Sequence, residues 1–181
     1  MYLGQGGLGP FLTLRDFGTL PKSRNEATAM GTGGTVGGRS LPIDIRIKEY
    51  TSDEEVQRLA TILKESGQGA LRRELEKLDV GQISPVGRIG TPIAVARSHE
   101  TENGRIVNIM TARYLSFLEL YQSGRSRDYP FGVVSLQLDE EEKGLGNVIV
   151  AAKIKFEDDD QIVIESFGHQ YVQISNVRKL K

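Results

Sequence analysis

The sequence predicts an α+β domain: a curved antiparallel β-meander of about seven or eight strands, curling toward a barrel, with two short helices inserted after the first strand. Three observations carry that expectation. Ile43-Asp44-Ile45-Arg46-Ile47-Lys48 alternates strictly between apolar and charged residues. A helix-start signature with an apolar stripe comes next, and from Val80 onward short β-prone runs are separated by turn residues. One domain over residues 41–181 accommodates the whole pattern, because a chain of this length buries roughly two-thirds of its unfolded surface.

Residues 1–40 read as a glycine-rich N-terminal extension. Ten of the 21 glycines fall there, and glycine loses more conformational freedom on ordering than any other residue. Phe11 to Phe17, bounded by Pro10 and Gly18, is the apolar stretch of this extension and reads as one strand-like segment, with Phe11, Leu12, Leu14 and Phe17 as its apolar residues. The domain then opens with the alternating strand, three isoleucines on one face and three charges on the other.

Ser52-Asp53-Glu54-Glu55 has the spacing of a capping box, Ser52 accepting from first-turn amides and Glu55 reaching back to the Ser52 amide. Val56, Leu59, Ala60 and Leu63 continue as a single apolar stripe, and Gly67 is placed to end the helix in the left-handed region. Leu71, Leu75 and Leu78 resume helical spacing, so two short helices joined at Gly67-Gln68-Gly69 are expected. The strands that follow are read at Gln82–Ile89, Thr91–Ser98, Arg105–Thr111, Phe131–Leu138, Asn147–Phe156, Gln161–Phe167 and Tyr171–Val177. Asn103-Gly104 predicts a two-residue turn with positive φ at both positions. Val148-Ile149-Val150 breaks the alternation, which implies either a bulge or a strand covered on both faces. Tyr114 to Tyr121 fits a short helix or turn.

Composition excludes several classes. With 23 basic and 24 acidic residues and a net charge of −1, the chain lacks the electrostatic footprint of a nucleic-acid binder. Zero cysteines exclude disulfides, thiolate metal sites and cysteine nucleophiles. No run approaches the roughly 18 apolar residues of a membrane helix, and glycines interrupt any signal-peptide pattern at the N-terminus.

The most distinctive loop is Ser123-Gly124-Arg125-Ser126-Arg127-Asp128-Tyr129-Pro130-Phe131-Gly132. Arg125 and Arg127, with Asp128 and Tyr129, form a candidate site for a carboxylate or phosphate, since guanidinium offers a planar fork of donors. The competing reading pairs both arginines with Glu157-Asp158-Asp159-Asp160, placed by a meander at the same end. A second candidate is an apolar pocket between meander and helices lined by Leu63, Leu71, Phe117 and Tyr121. The acidic tips at Asp139–Glu142 and Glu157–Asp160 lack the register of a calcium loop and read as solvated turns. His99 and His169 are the imidazoles available for acid-base work, but Glu100 faces away from His99 on a strand, and no Gly-x-Ser-x-Gly elbow is present. The glycine clusters at Gly4–Gly9 and Gly31–Gly34 neither follow a strand nor open a helix, so no phosphate loop is expected. No cofactor or metal is implied.

Residues 41–59 (LPIDIRIKEYTSDEEVQRL), Pro92–Ser98 (PIAVARS), the loop Ser123–Gly132, Ala151–Phe156 (AAKIKF) and Ile164–Gly168 (IESFG) together resemble a group of uncharacterised exported bacterial proteins over residues 41–178. That resemblance implies a periplasmic or extracellular home and transfers no catalytic residue. The expectation is an exported, non-enzymatic binding or assembly protein that self-associates through strand addition by its N-terminal segment. The alternatives are a small apolar-ligand binder using the helix-sheet pocket, and an enzyme using the arginine loop with His99 or His169.

Overall fold

The computed structural model describes residues 11–12, 27–36, 39–118, 128–157, 161–167 and 171–180. In chain order the elements are β1 (Phe11–Leu12), β2 (Ala27–Val36), β3 (Arg39–Ile47), α1 (Asp53–Leu75), β4 (Gly81–Pro85), β5 (Thr91–Ile93), β6 (Val95–Thr101), β7 (Gly104–Thr111), β8 (Phe131–Leu138), β9 (Lys143–Glu157), β10 (Gln161–Ser166) and β11 (Tyr171–Leu180). A 3-10 turn, Ser116–Leu118, follows β7.

The strands join in one antiparallel sheet ordered β5-β4-β3-β2-β11-β9-β8-β7-β6, with β10 and β1 branching from β9. Only Ala94 separates β5 from β6, so the hydrogen-bonded path returns to the stretch of chain where it began. The hand-over is visible in the backbone: Val80 N–H donates to Ile93 O at 2.9 Å, and Ala94 N–H donates to Met110 O at 2.9 Å. The sheet is thereby curled into a half-barrel with the loop Lys48–Ser52 beside the free side of β6, where Thr51 exchanges hydrogen bonds with Ala96.

Two apolar clusters divide the faces of this sheet. The inner one gathers Ile43, Ile45, Ile47, Ile83, Ile109, Leu136 and Ile174. The other, on the face covered by α1, gathers Leu59, Leu63, Leu71, Leu75, Val133, Ile149 and Ile154. Val148-Ile149-Val150 satisfies both halves of its expectation. Val148 and Val150 belong to the inner cluster while Ile149 lies under the helix. A register shift then follows, Phe131 opposing Ala152 but Val133 opposing Ile149, which returns Ala152 and Ile154 to the helix face. A second bulge near Asn176, at φ 55°, keeps Val172, Ile174 and Val177 all in the inner cluster.

Several expectations need correction. The β-rich α+β class holds, but the described residues contain eleven strands and one helix in place of seven or eight strands and two helices. α1 is one element bent at Gly67, whose φ of 76° and ψ of −178° leave the helical region. The bend is large. Arg58 bonds Glu74 at 3.1 Å, sixteen positions along, which a straight helix would hold about 24 Å apart. At its N-terminus the capping box is half realised. Ser52 Oγ accepts from Glu55 N at 3.3 Å, whereas the Glu55 carboxylate is drawn to Arg58 instead.

The glycine-rich region contributes β2 as well as β1. β2 forms ladders with β11 on one side and β3 on the other, and these offset the ordering cost of its glycines. The strand expected at Gln82–Ile89 stops at Pro85, because Val86–Gly90 turns with Gly87 at φ 76°. The β6–β7 hairpin turns one residue earlier than expected. Thr101 pairs with Gly104, so the loop is Glu102-Asn103 and only Gly104 has positive φ, 137°. An added Cβ at Gly104 would lie 2.0 Å from Leu138 O, so the β7–β8 ladder reserves that position for glycine.

Candidate functional site

The N-terminal segment meets the sheet at β10. β9, at 15 residues, serves two neighbours in succession: its first half pairs with β11, and Ala152–Glu157 pairs with β10. Among the described residues the far side of β10 is joined by β1, in the register Phe11 opposite Val163 and Leu12 opposite Ile162. Two residues of strand thus occupy an edge whose Ile162 and Val163 are buried. Edges of this kind present unpaired amides and carbonyls to any strand that can reach them. Lys155 and Glu165, 2.6 Å apart, brace the β9–β10 pair, and the ammonium holds the Glu165 carboxyl below its ordinary value. Leu14 and Phe17 lie outside the described residues.

Leu63 and Leu71, two of the pocket candidates, come together beneath α1 with Leu59, Leu75, Ile154 and Ile162. They line an apolar cleft of about 40 Å³. Phe117 is placed elsewhere, packed against the inner cluster, and Tyr121 lies outside the described residues. The cleft is far below the roughly 300 Å³ at which small-molecule pockets begin.

At the bend of α1, Gln68 performs a task that no local pattern announces. β8 pairs with β9 only as far as Phe131 opposite Ala152. Beyond that point the Gln68 side chain takes the place of a strand, its Oε1 accepting from Ile154 N and its Nε2 donating to Asp128 O, both at 2.9 Å. The bend at Gly67 is what brings the amide to this position. Asp128 is therefore held through its backbone, and Tyr129 packs edge-on against Phe167 with ring centroids 5.3 Å apart. Arg125 and Arg127 lie outside the described residues, as do Asp158–Asp160.

Two arginines, Arg97 buried and Arg105 half-buried, were missed as site residues. Arg97 is 2% exposed, with Nη1 donating to Thr51 O and Nη2 to the Asp53 carboxylate, so it ties β6 to the first turn of α1. Arg105 pairs with Glu142 and reaches the Tyr50 hydroxyl at 3.5 Å. Burial pushes the Tyr50 phenol above its ordinary value, opposed by Arg105 and reinforced by Glu142. Tyr50 is thus a neutral plug at the end of the inner core, a poor nucleophile or base. A signal was present in each case: an arginine directly after the apolar run Ile93–Ala96, and another following the Asn103-Gly104 turn. Neither reveals its partner, since Thr51, Asp53, Tyr50 and Glu142 are distant in sequence.

His99 is half-buried on β6 opposite Ile106, and His169 lies outside the described residues. Among the described residues no group of three or more His, Asp or Glu is arranged to hold a metal ion, and no helix is long and apolar enough to cross a membrane. The acidic tip at Asp139–Glu142 is organised by its own backbone, with Asp139 Oδ1 accepting from Lys143 N at 2.8 Å. No family model, curated protein or solved structure matches the chain.

Proposed function

We propose that the chain is an exported, non-enzymatic binding and assembly protein whose N-terminal strand works by addition to the edge at β10, within its own chain or in a neighbouring copy. The observation that carries this reading is the pairing of β1 with β10. Among the described residues β1 contributes two residue pairs that lie off the main sheet path, and an edge pairing of this kind can form its backbone bonds within one chain or between chains. The resemblance to exported bacterial proteins supports the localisation, and the strand-forming residues Phe11, Leu12, Leu14 and Phe17 support the role of the segment.

Removal of residues 1–12 tests this reading without disturbing β2; a cut after residue 38 would take β2 from between β11 and β3. The shortened chain is expected to lose self-association by light scattering and to exchange the β10 amide that faces β1 at Ile162–Val163 faster. Unchanged mass together with unchanged exchange along β10 would sink the proposal. The apolar-ligand alternative would require the cleft beneath α1 to widen about sevenfold to reach the size of ordinary ligand pockets.

A further inference from the structure

β10 presents two unlike faces to a strand that joins its outer edge. Ile162 and Ile164 alternate on one face, opposite Phe156 and Ile154 of β9, and pack with the apolar cluster under α1. Glu165 lies on the other face, its carboxylate 2.6 Å from the Lys155 ammonium. The first face borders the cleft beneath the helix. Ile154, Ile162 and Ile164 form part of its sheet side, and Val56, Leu59 and Ala60 part of its helix side. Every described residue that lines it is apolar. Val56, Ala60 and Ile164 are only half-buried, so the wall of the cleft reaches the surface there.

The volume of the cleft, about 40 Å³, is too small for an ordinary ligand but suits a single side chain. One water needs about 10–15 Å³ of such space, so the cleft holds roughly three heavy atoms, the size of the branched end of a leucine. Its walls offer a water no hydrogen-bond partner, which leaves an apolar group as the favoured occupant. Residues directly opposite each other across an antiparallel pair share a face, with Cβ atoms about 4.5–5.5 Å apart. The position that an added strand places opposite Ile162 therefore lies beside this cleft. In β1 that position is Leu12.

We propose, building on the strand-addition reading above, that the cleft under α1 is the specificity pocket of the β10 edge. The backbone ladder holds the incoming strand, and the cleft selects an apolar residue of leucine size at the position opposite Ile162. The occupant is the N-terminal strand of this protein. Main-chain bonds alone accept almost any sequence, whereas a polar group at this one position is left without a partner among apolar walls.

Hydrogen exchange of the β10 amide that faces β1 at Ile162–Val163, followed in the full-length protein, tests the pocket. Leu12→Thr keeps strand propensity but loses the apolar end, and exchange at that amide should rise about tenfold or more. Leu12→Met, of similar volume, should stay within about threefold of the unaltered chain. From the other side, Ala60→Leu fills the cleft from the helix. It should speed the same amide by a similar factor while leaving the thermal midpoint unchanged or raised. Combined with Leu12→Thr it should add little, because both changes remove one contact. Leu12→Pro separates the pocket from the strand addition on which it rests. If proline frees the amide while Leu12→Thr and Ala60→Leu do not, the pocket is overturned and strand addition stands. If proline also leaves the amide unchanged, strand addition falls and the pocket with it.

Discussion

β1 and β2 come from the same glycine-rich stretch, yet they occupy opposite situations. β2 is ten residues long and lies between β11 and β3, hydrogen-bonded on both sides. Among the described residues β1 is Phe11–Leu12 and pairs with β10. Composition treats them alike, and the sheet does not. What separates them among the described residues is the number of partner strands, a property of the whole fold: β2 has two ladders and β1 has one. The lesson is that a break in composition marks where side-chain information ends, which is a different place from where structure ends.

The sharpest way to break the comparison is proline. Gly31→Pro interrupts β2 inside the sheet and should cost about 3 kcal/mol or more, enough to abolish cooperative folding in a thermal melt. Leu12→Pro removes one amide from an edge pair and should leave the melting curve nearly unchanged. Equal damage from the two substitutions would erase the distinction between the strands.

Next in size is the anchor on the other side of β9. Gln68→Ala leaves Ile154 N–H and Asp128 O without their partner and should destabilise by about 1–3 kcal/mol, measured by urea unfolding. Asp53→Ala, which leaves the buried Arg97 guanidinium without its carboxylate, should cost a similar or larger amount, about 2–4 kcal/mol. If Gln68→Ala is silent, the β9–β10 branch does not depend on the bend of α1, and β1 carries more of its stability than supposed.

The smallest effect is electrostatic. Glu55 is held below its ordinary value chiefly by Arg58, Glu74 chiefly by Lys77 with help from Arg58, and Glu165 chiefly by Lys155. Folded values lower than unfolded ones stabilise above the unfolded carboxylate value of about 4.3, and that stability fades as pH falls through the folded values. Arg58→Ala should therefore shift the acid limb of a stability-pH profile slightly and leave neutral stability little altered, as expected of exposed pairs.

The parts of the fold legible in advance were those with a local pattern. Ile43, Ile45 and Ile47 read as one buried face and all enter the inner cluster. β8 has the predicted limits, and Ser52 caps α1. The bend of α1 was visible as Gly67, although the residues joined across it, Arg58 with Glu74, were not. β2 was illegible because its glycines carry no side-chain pattern. Arg97 was illegible as a buried group because the atoms that satisfy it belong to Thr51 and to the first turn of α1, more than forty positions away. Of the proposed assembly segment, the strand character of Phe11 and Leu12 was legible; the edge that receives them was set by the branching of β9.

The central claim, an integral β2 and an exchangeable β1, is tested most directly by amide hydrogen exchange across the full-length chain. The account predicts that β2 and β11 exchange only through global unfolding, whereas β1 and the facing amides of β10 exchange together through a low-energy local opening. Equal protection of β1 and β2, or β2 opening together with β1, would contradict it.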